Sequence, residues 1–319
     1  MSNQLCGTRK AAIIGAGFVG ASIAYVLAMR ESVSEIVLID MDRVKAEGEA
    51  MDIRHGIRGM GTVNLYAGDY KDIADCEVII ITAGRNRRVG ENRLDLAKDN
   101  VKILHSVVES MKPYYNGCVV IMVANPVDIM TLKAQEWLDK KDGTIFGTGC
   151  VLDTSRFIRL ISDHVGLSAN FVYADIVGEH GDSQVPIWSR VRVAGMAIDE
   201  YCEKYNIEWN EDVKNRIAEE TKKMGGVIIK NKGKTHYGIA TSVCYLVESI
   251  IKKKSIVAPV SVYFNGERGV EGISISVPCI VGAEGVRAKI DDVWTVEEDR
   301  RFAESAARLK ETLAIVEGK

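Results

Sequence analysis

The residues of this chain that could do chemistry fall into a few short clusters. The first is Gly15-Ala16-Gly17-Phe18-Val19-Gly20, which follows the apolar run KAAII and opens a stretch of helical character, with Asp40 closing the next apolar run. Each glycine has its own task in a phosphate cradle: Gly15 makes the tight turn, Gly17 lets backbone approach a pyrophosphate, and Gly20 lets helix and strand pack closely. The first N–H groups of the helix, from Phe18 and Val19 onward, and the positive end of its dipole then favour the anion. A carboxylate at Asp40 accepts hydrogen bonds from ribose hydroxyls and repels a 2′-phosphate, so the unit predicts NAD as cofactor in preference to NADP. Arg43 is the nearby cation that argues the other way.

Three further clusters sit where strands end or a new segment begins: Ala124-Asn125-Pro126-Val127-Asp128, Leu152-Asp153-Thr154-Ser155-Arg156 and Gly178-Glu179-His180-Gly181-Asp182-Ser183. An imidazole at His180 titrates near neutrality and could donate or accept a proton in both directions of a reaction. It could also be a histidine hydrogen-bonded in a turn. A metal site from Glu179, His180 and Asp182 is disfavoured, because neighbouring residues of extended chain point to opposite faces, and no metal is expected. Asp153 could orient and charge-stabilise an imidazole or simply cap the helix that follows. Arg156, three residues on, shares its helix face.

These clusters need a scaffold, and the 319 residues, 47% apolar and 27% charged, suffice for two domains. From Lys10 to about Thr148, the runs KAAIIG, EIVLID, EVIIITAG and CVVIMVANP read as strands buried on both faces. Between them FVGASIAYVLAM, DRVKAEGEAMDIRHG and RLDLAKDNVKILHSVVESM have helical periodicity. Such alternation specifies an α/β fold, a doubly wound parallel sheet of Rossmann type over 1–148. The rhythm then changes to a mixed α+β domain over 149–319: helices over 152–165, 212–230 and 236–253, and strands over 171–177, 187–193, 257–263 and 273–281. The last helix, with a capping box at Thr295 and Glu298 and an apolar face at Phe302, Ala306 and Leu309, reads as packing without chemistry.

A net charge of −3, from 41 basic and 44 acidic residues, provides no field for nucleic acid or an anionic membrane, and neither is expected as a partner. The uncharged stretch from Ala11 to Met29 imitates a signal peptide, but its glycines suit a strand-turn-helix unit better than a spanning helix. Seven cysteines without a CxxC pair point to a reducing cytoplasm.

Through the glycine loop and the three clusters, in order and over nearly the whole length, the chain resembles the L-lactate/malate dehydrogenase family. The resemblance implies a hydride moved to or from C2 of a small 2-hydroxy acid. It makes His180 the acid/base, Asp153 its orienting carboxylate and Arg156 the two-pronged grip on the C1 carboxylate. It places Asn125 near both nicotinamide and substrate, and gives Ala83, Gly84, Asn100 and Val123 to the cofactor cleft. In Gly233-Lys234-Thr235-His236-Tyr237-Gly238-Ile239, it makes Thr235 a pocket wall and Ile239 an apolar side against nicotinamide, although Ile239 could equally serve the core. A homo-oligomer is implied, a tetramer before a dimer.

The polar segment Arg85-Asn86-Arg87-Arg88-Val89-Gly90-Glu91-Asn92 is of the sort that closes over a site. By the same resemblance Arg93 polarises the substrate carbonyl, and Arg87 holds the position that meets the far end of the substrate. Malate enzymes usually carry arginine there and lactate enzymes glutamine. The expectation is therefore malate and oxaloacetate, since Arg156 and Arg87 would pair one carboxylate each. Lactate and pyruvate are the alternative, supported by the lactate-like GEHGDS. A silent NAD-binding sensor is the remote one, since it would have lost His180, Asp153 or the arginines.

Overall fold

The computed structural model describes residues 9–59, 61–85 and 93–318, with Arg93 described in its backbone only. The β-branched runs become strands, and the longer runs between them, with three or four apolar residues per two turns, become helices. The first half runs β1 (Lys10–Ile14), α1 (Phe18–Met29), β2 (Glu35–Ile39), α2 (Arg43–Gly56), β3 (Asn64–Ala67), β4 (Val78–Ile81), α3 (Arg93–Met111), β5 (Val119–Met122), α4 (Val127–Trp137) and β6 (Ile145–Gly147). The second half runs α5 (Val151–Val165), β7 (Val172–Tyr173), β8 (Ile176–Val177), β9 (Val185–Pro186), β10 (Arg192–Val193), β11 (Met196–Ala197), α6 (Ile198–Tyr205), α7 (Glu211–Lys232), α8 (Tyr237–Ile251), β12 (Ile256–Asn265), β13 (Glu271–Gly282), β14 (Gly285–Lys289) and α9 (Val296–Glu317).

Among the described residues one sheet of nine strands carries both halves, in the order β14-β13-β12-β6-β5-β4-β1-β2-β3. Its β1 to β6 portion is parallel and has the doubly wound order expected of two mononucleotide-binding halves. The antiparallel strands β12 to β14 extend it through the register pair Ser261 and Gly147. Along β1, Ala11 and Ile13 enter one hydrophobic cluster, shared with Ile23 and Leu27 of α1 and Leu246 and Ile250 of α8. Ala12 and Ile14 enter the other, with Leu104 of α3 and Met130 of α4. Burial on both faces is why these strands show no alternation. Each fully buried Ile or Leu contributes roughly 1.5–3 kcal/mol.

Two expectations are corrected here. The strands predicted over 171–177 and 187–193 break into the two-residue pieces β7, β8 and β10, with a helical turn at Trp188–Arg190. Their apolar residues pack onto Phe157 and Ile161 of α5 and Ile217 of α7 in a third cluster, which rewards burial without long ladders. Strands β3, β6 and β14, too short or too polar to announce themselves, complete the large sheet. No helix among the described residues is long and apolar enough to cross a membrane.

Candidate active site

The glycine loop lies where the strand order reverses, between β1 and β4. A Cβ on Gly15, whose φ is +109°, would stand 2.7 Å from the Ala83 nitrogen and 2.7 Å from Thr82 Oγ1. One on Gly20 would stand 1.9 Å from the Gly15 carbonyl oxygen. No other residue fits either place without parting strand from helix. Gly17 by contrast faces open space, with nothing within 4 Å of a Cβ there, at the start of α1. Loop and helix terminus thus leave room for a diphosphate against main-chain N–H groups, and the residues present fit a dinucleotide.

Asp40 closes β2 and holds the loop as well, its Oδ2 accepting the Ala16 N–H at 2.6 Å and its Oδ1 the Asp42 N–H at 3.0 Å. Arg43 turns elsewhere, onto Glu47 and Asp69 at 3.0 Å each, so its guanidinium is engaged away from Asp40. Across the crevice, Ala83 and Gly84 follow β4, and Val123 and Ala124 follow β5. Asn100 on α3 is buried, its Oδ1 accepting the Arg85 N–H at 2.8 Å and its amide donating to the Asn125 carbonyl at 2.7 Å. It therefore ties the two strand ends together, a brace where the sequence suggested a ligand contact.

The second site is assembled from three elements. The loop after β8 turns at Gly178, whose φ is +90° and whose N–H donates to Ser276 of β13 at 2.9 Å. His180 Nδ1 donates to Asp153 Oδ2 at 2.6 Å, and Asp153 Oδ1 accepts from Arg156 Nη1 at 2.9 Å. Cys150, not Asp153, stands at the N-cap of α5, so Asp153 is free of the capping duty. The three expected residues form one chain of ion pairs, with Asp153 almost wholly buried and the imidazole and guanidinium partly open. A Cβ on Gly225 of α7 would lie 3.6 Å from Arg156 Nη2, so the missing side chain leaves space beside the outer arm of the guanidinium.

The Asp153 carboxylate raises the His180 imidazole to about 9 against burial, with Asp128 adding to the rise and Arg156 opposing it. Burial pushes the Asp153 carboxyl up, but the charges of His180 and Arg156 outweigh it and hold the group below the usual range. His180 is thus protonated at neutral pH, with Nε2 making no hydrogen bond among the described residues, ready to donate to an incoming oxygen.

Thr235 and Ile239 are half-buried at the seam of the two sites. His236 between them bonds Ser22 of α1 at 2.9 Å through its ring, and Gly238 packs against Leu152, the neighbour of Asp153. Asn125 presents its carbonyl to Asn100 and its Oδ1 to the Val127 N–H at 3.3 Å. Two residues had been passed over. Asp128 accepts the His180 N–H at 2.9 Å. Ser305, on the helix read as packing alone, accepts the Glu179 N–H at 2.9 Å and meets the Ser183 hydroxyl at 3.0 Å. A buried serine between Phe302 and Ala306 was the available signal. Arg87 and the rest of 86–92 lie outside the described residues, as does the side chain of Arg93.

Comparison with known proteins matches residues 9–147 to the NAD binding domain of lactate/malate dehydrogenases and residues 150–318 to their alpha/beta C-terminal domain. An L-lactate dehydrogenase of Acetivibrio thermocellus is 39% identical over 305 residues, 96% of each chain, and one of Priestia megaterium is 38% identical over 306 residues, again 96% of each. The ligand-bound crystal structure of the minor L-lactate dehydrogenase from Enterococcus mundtii superposes with a TM-score of 0.93 at 38% identity, over 97% of this chain and 99% of the other.

These relatives overturn the expectation of malate and oxaloacetate, which rested on Arg87. Arginines in a polar loop select a dicarboxylate only if one is aimed inward, and register alone had singled out Arg87. The loop arginine that is described, Arg85, turns to Asp99 at 2.8 Å.

Proposed function

Because the chain belongs to the lactate/malate dehydrogenase family, and so is an NAD-dependent oxidoreductase acting on a CH–OH group of a small hydroxy or oxo acid, we propose that its substrates are L-lactate and pyruvate. The observation that carries the chemistry is the His180–Asp153–Arg156 chain. The two inner contacts fix the imidazole by its Nδ1 and leave Nε2 to exchange a proton with the C2 oxygen. Arg156 offers its outer arm to the C1 carboxylate, a charge-assisted bond that sets the substrate's orientation. Asp153 stabilises the imidazolium when lactate is oxidised and keeps the proton available when pyruvate is reduced. The chemistry supplied by the bound nicotinamide is hydride transfer at C2. Arg93 is assigned to the carbonyl oxygen, and Asn125, Thr235 and Ile239 to the walls around substrate and nicotinamide. The support for lactate over malate is the near full-length match to proteins named L-lactate dehydrogenase.

Initial rates with pyruvate and with oxaloacetate, each with NADH and NADPH, test this reading. Pyruvate with NADH is expected to give the highest kcat/KM, and a preference for oxaloacetate would overturn it. The chain is also expected to assemble with itself. Large apolar side chains stand exposed on α1, α2 and α8, among them Tyr25, Met51 and Tyr245. Light scattering on the eluted protein gives the number of subunits.

A further inference from the structure

Among the described residues two buried carboxylates flank His180, and of these Asp153 alone bonds its ring. The other, Asp128, lies in the first turn of α4 with 2% of its surface exposed. Its Oδ2 accepts the His180 N–H at 2.9 Å, while Oδ1 completes no hydrogen bond among the described residues. The hydroxyls of Ser261 and Ser276, paired residues of β12 and β13, are buried and likewise complete no hydrogen bond among those residues. Buried polar atoms without partners are rare in folded proteins. The fold tolerates this one where the positive end of α4 favours negative charge. A neutral brace for the His180 main chain would need only an acceptor. A carboxylate brings a charge as well, and the chain retains that charge where it is hardest to bury.

Resting on the reading of His180 as the acid/base, we infer that Asp128 is a positioning residue for the reaction: it fixes the main chain of His180 through Oδ2, and its charge favours the protonated ring. The groups facing this pair are Asp153 and Arg156 from α5, Cys150 at its N-cap, Glu179 from the loop, and the two serines from the sheet. Glu179 is engaged by the Ser183 hydroxyl. Burial pushes the Asp128 carboxyl up to about 6, and the Ser261 hydroxyl, close by though completing no hydrogen bond to it, the His180 N–H and the imidazolium charge all favour its ionised form. At neutral pH Asp128 is therefore largely charged. Among the described residues, the imidazole answers two carboxylates and the guanidinium of Arg156.

Asp128→Asn separates the charge from the brace. The amide oxygen can still accept the His180 N–H, and the new NH2 can donate to the Ser261 hydroxyl, so the folded state keeps its contacts. The experiment records kcat/KM against pH for pyruvate reduction and for lactate oxidation, with NADH binding followed by fluorescence. In Asp128→Asn the alkaline fall of reduction and the acid rise of oxidation are both expected to move to lower pH, by about half a unit to one unit. NADH affinity should hold. Ser276→Ala, which changes no charge and removes no group that acts on the Asp128 carboxyl, should leave both limbs in place. Should the Asn variant fail to accumulate as folded protein, Asp128→Ser supplies the same readout. Limbs unmoved while kcat falls would make Asp128 a structural brace alone and overturn the inference. Turnover surviving in His180→Asn would overturn the reading of His180 and this inference together.

Discussion

At the glycine loop the working groups are main-chain N–H donors, and the sequence contributes chiefly by omitting side chains at Gly15, Gly17 and Gly20. At His180 the groups brought together are charged side chains drawn from α4, α5 and the loop after β8, and there His180 and Asp153 each favour the other's charged form. The difference lies in how each site can fail. A backbone site fails by steric intrusion, all at once and with loss of fold. A charge site fails by degrees, through shifts in where its groups titrate, and can keep its shape while losing its chemistry.

The largest expected effect breaks the charge site alone. His180→Asn should lower turnover roughly a hundred-fold to ten-thousand-fold while NADH still binds, as measured by steady-state rates beside a fluorescence titration. Loss of NADH binding in the same variant would show that the two sites are not separable. Gly20→Ala is the converse, since its Cβ must enter the space of the Gly15 carbonyl. It should cost on the order of 3 kcal/mol of stability and weaken NADH binding, with a lower melting temperature. A normal melting temperature and normal affinity would mean that the loop is not held as tightly as the geometry requires.

Asp153→Asn sharpens the comparison through pH. With the carboxylate gone, the imidazole should fall from about 9 toward its ordinary 6.5, and the alkaline limit of pyruvate reduction should fall with it. The sign for stability follows from a pKa raised in the folded state. The His180–Asp153 pair stabilises fully below about 6.5 and loses that contribution as pH rises through about 9, so the variant should flatten this slope in urea titrations. A slope equal to that of the wild type would place the alkaline loss in another group. The smallest effect belongs to Asp40→Ser, which should narrow the preference for NADH over NADPH by roughly ten-fold, about 1.4 kcal/mol. Arg43, held by Glu47 and Asp69, is not placed to add more. An unchanged ratio would mean that Asp40 serves the loop and not the ribose.

The backbone site was the more legible of the two in the sequence, because glycine spacing and buried strands leave direct marks. The chain of His180, Asp153 and Arg156 was suggested by residue type and resemblance, but Asp128 and Ser305 were not. Their roles arise from residues brought together across α4, α9 and the β8 loop, and nothing local distinguishes a serine that packs from one that accepts a loop N–H. The bracing bonds of Asn100 to Arg85 and Asn125 were not legible either, since nothing in a helical run marks which side chain will tie two strand ends together. The short strands β7, β8 and β10 were drawn as parts of longer ones, because their apolar residues serve a cluster and not a ladder. Arg87 shows the limit of register: a position can be aligned to a role without any sign of where its side chain is aimed.

The nine-stranded sheet has a consequence for how the chain is made. Strand β6, the edge of the parallel half, finds its neighbour β12 only far later in the chain, where Ser261 comes to rest against Gly147. During synthesis the first half can condense while this edge stays unpaired, with open N–H and C=O groups that another nascent chain could match. Completion of the sheet waits on a contact of long sequence separation, which slows the last step. Ribosome-bound chains ending before β12 should accordingly be the ones that aggregate or recruit a chaperone, and chains carried past β14 should not.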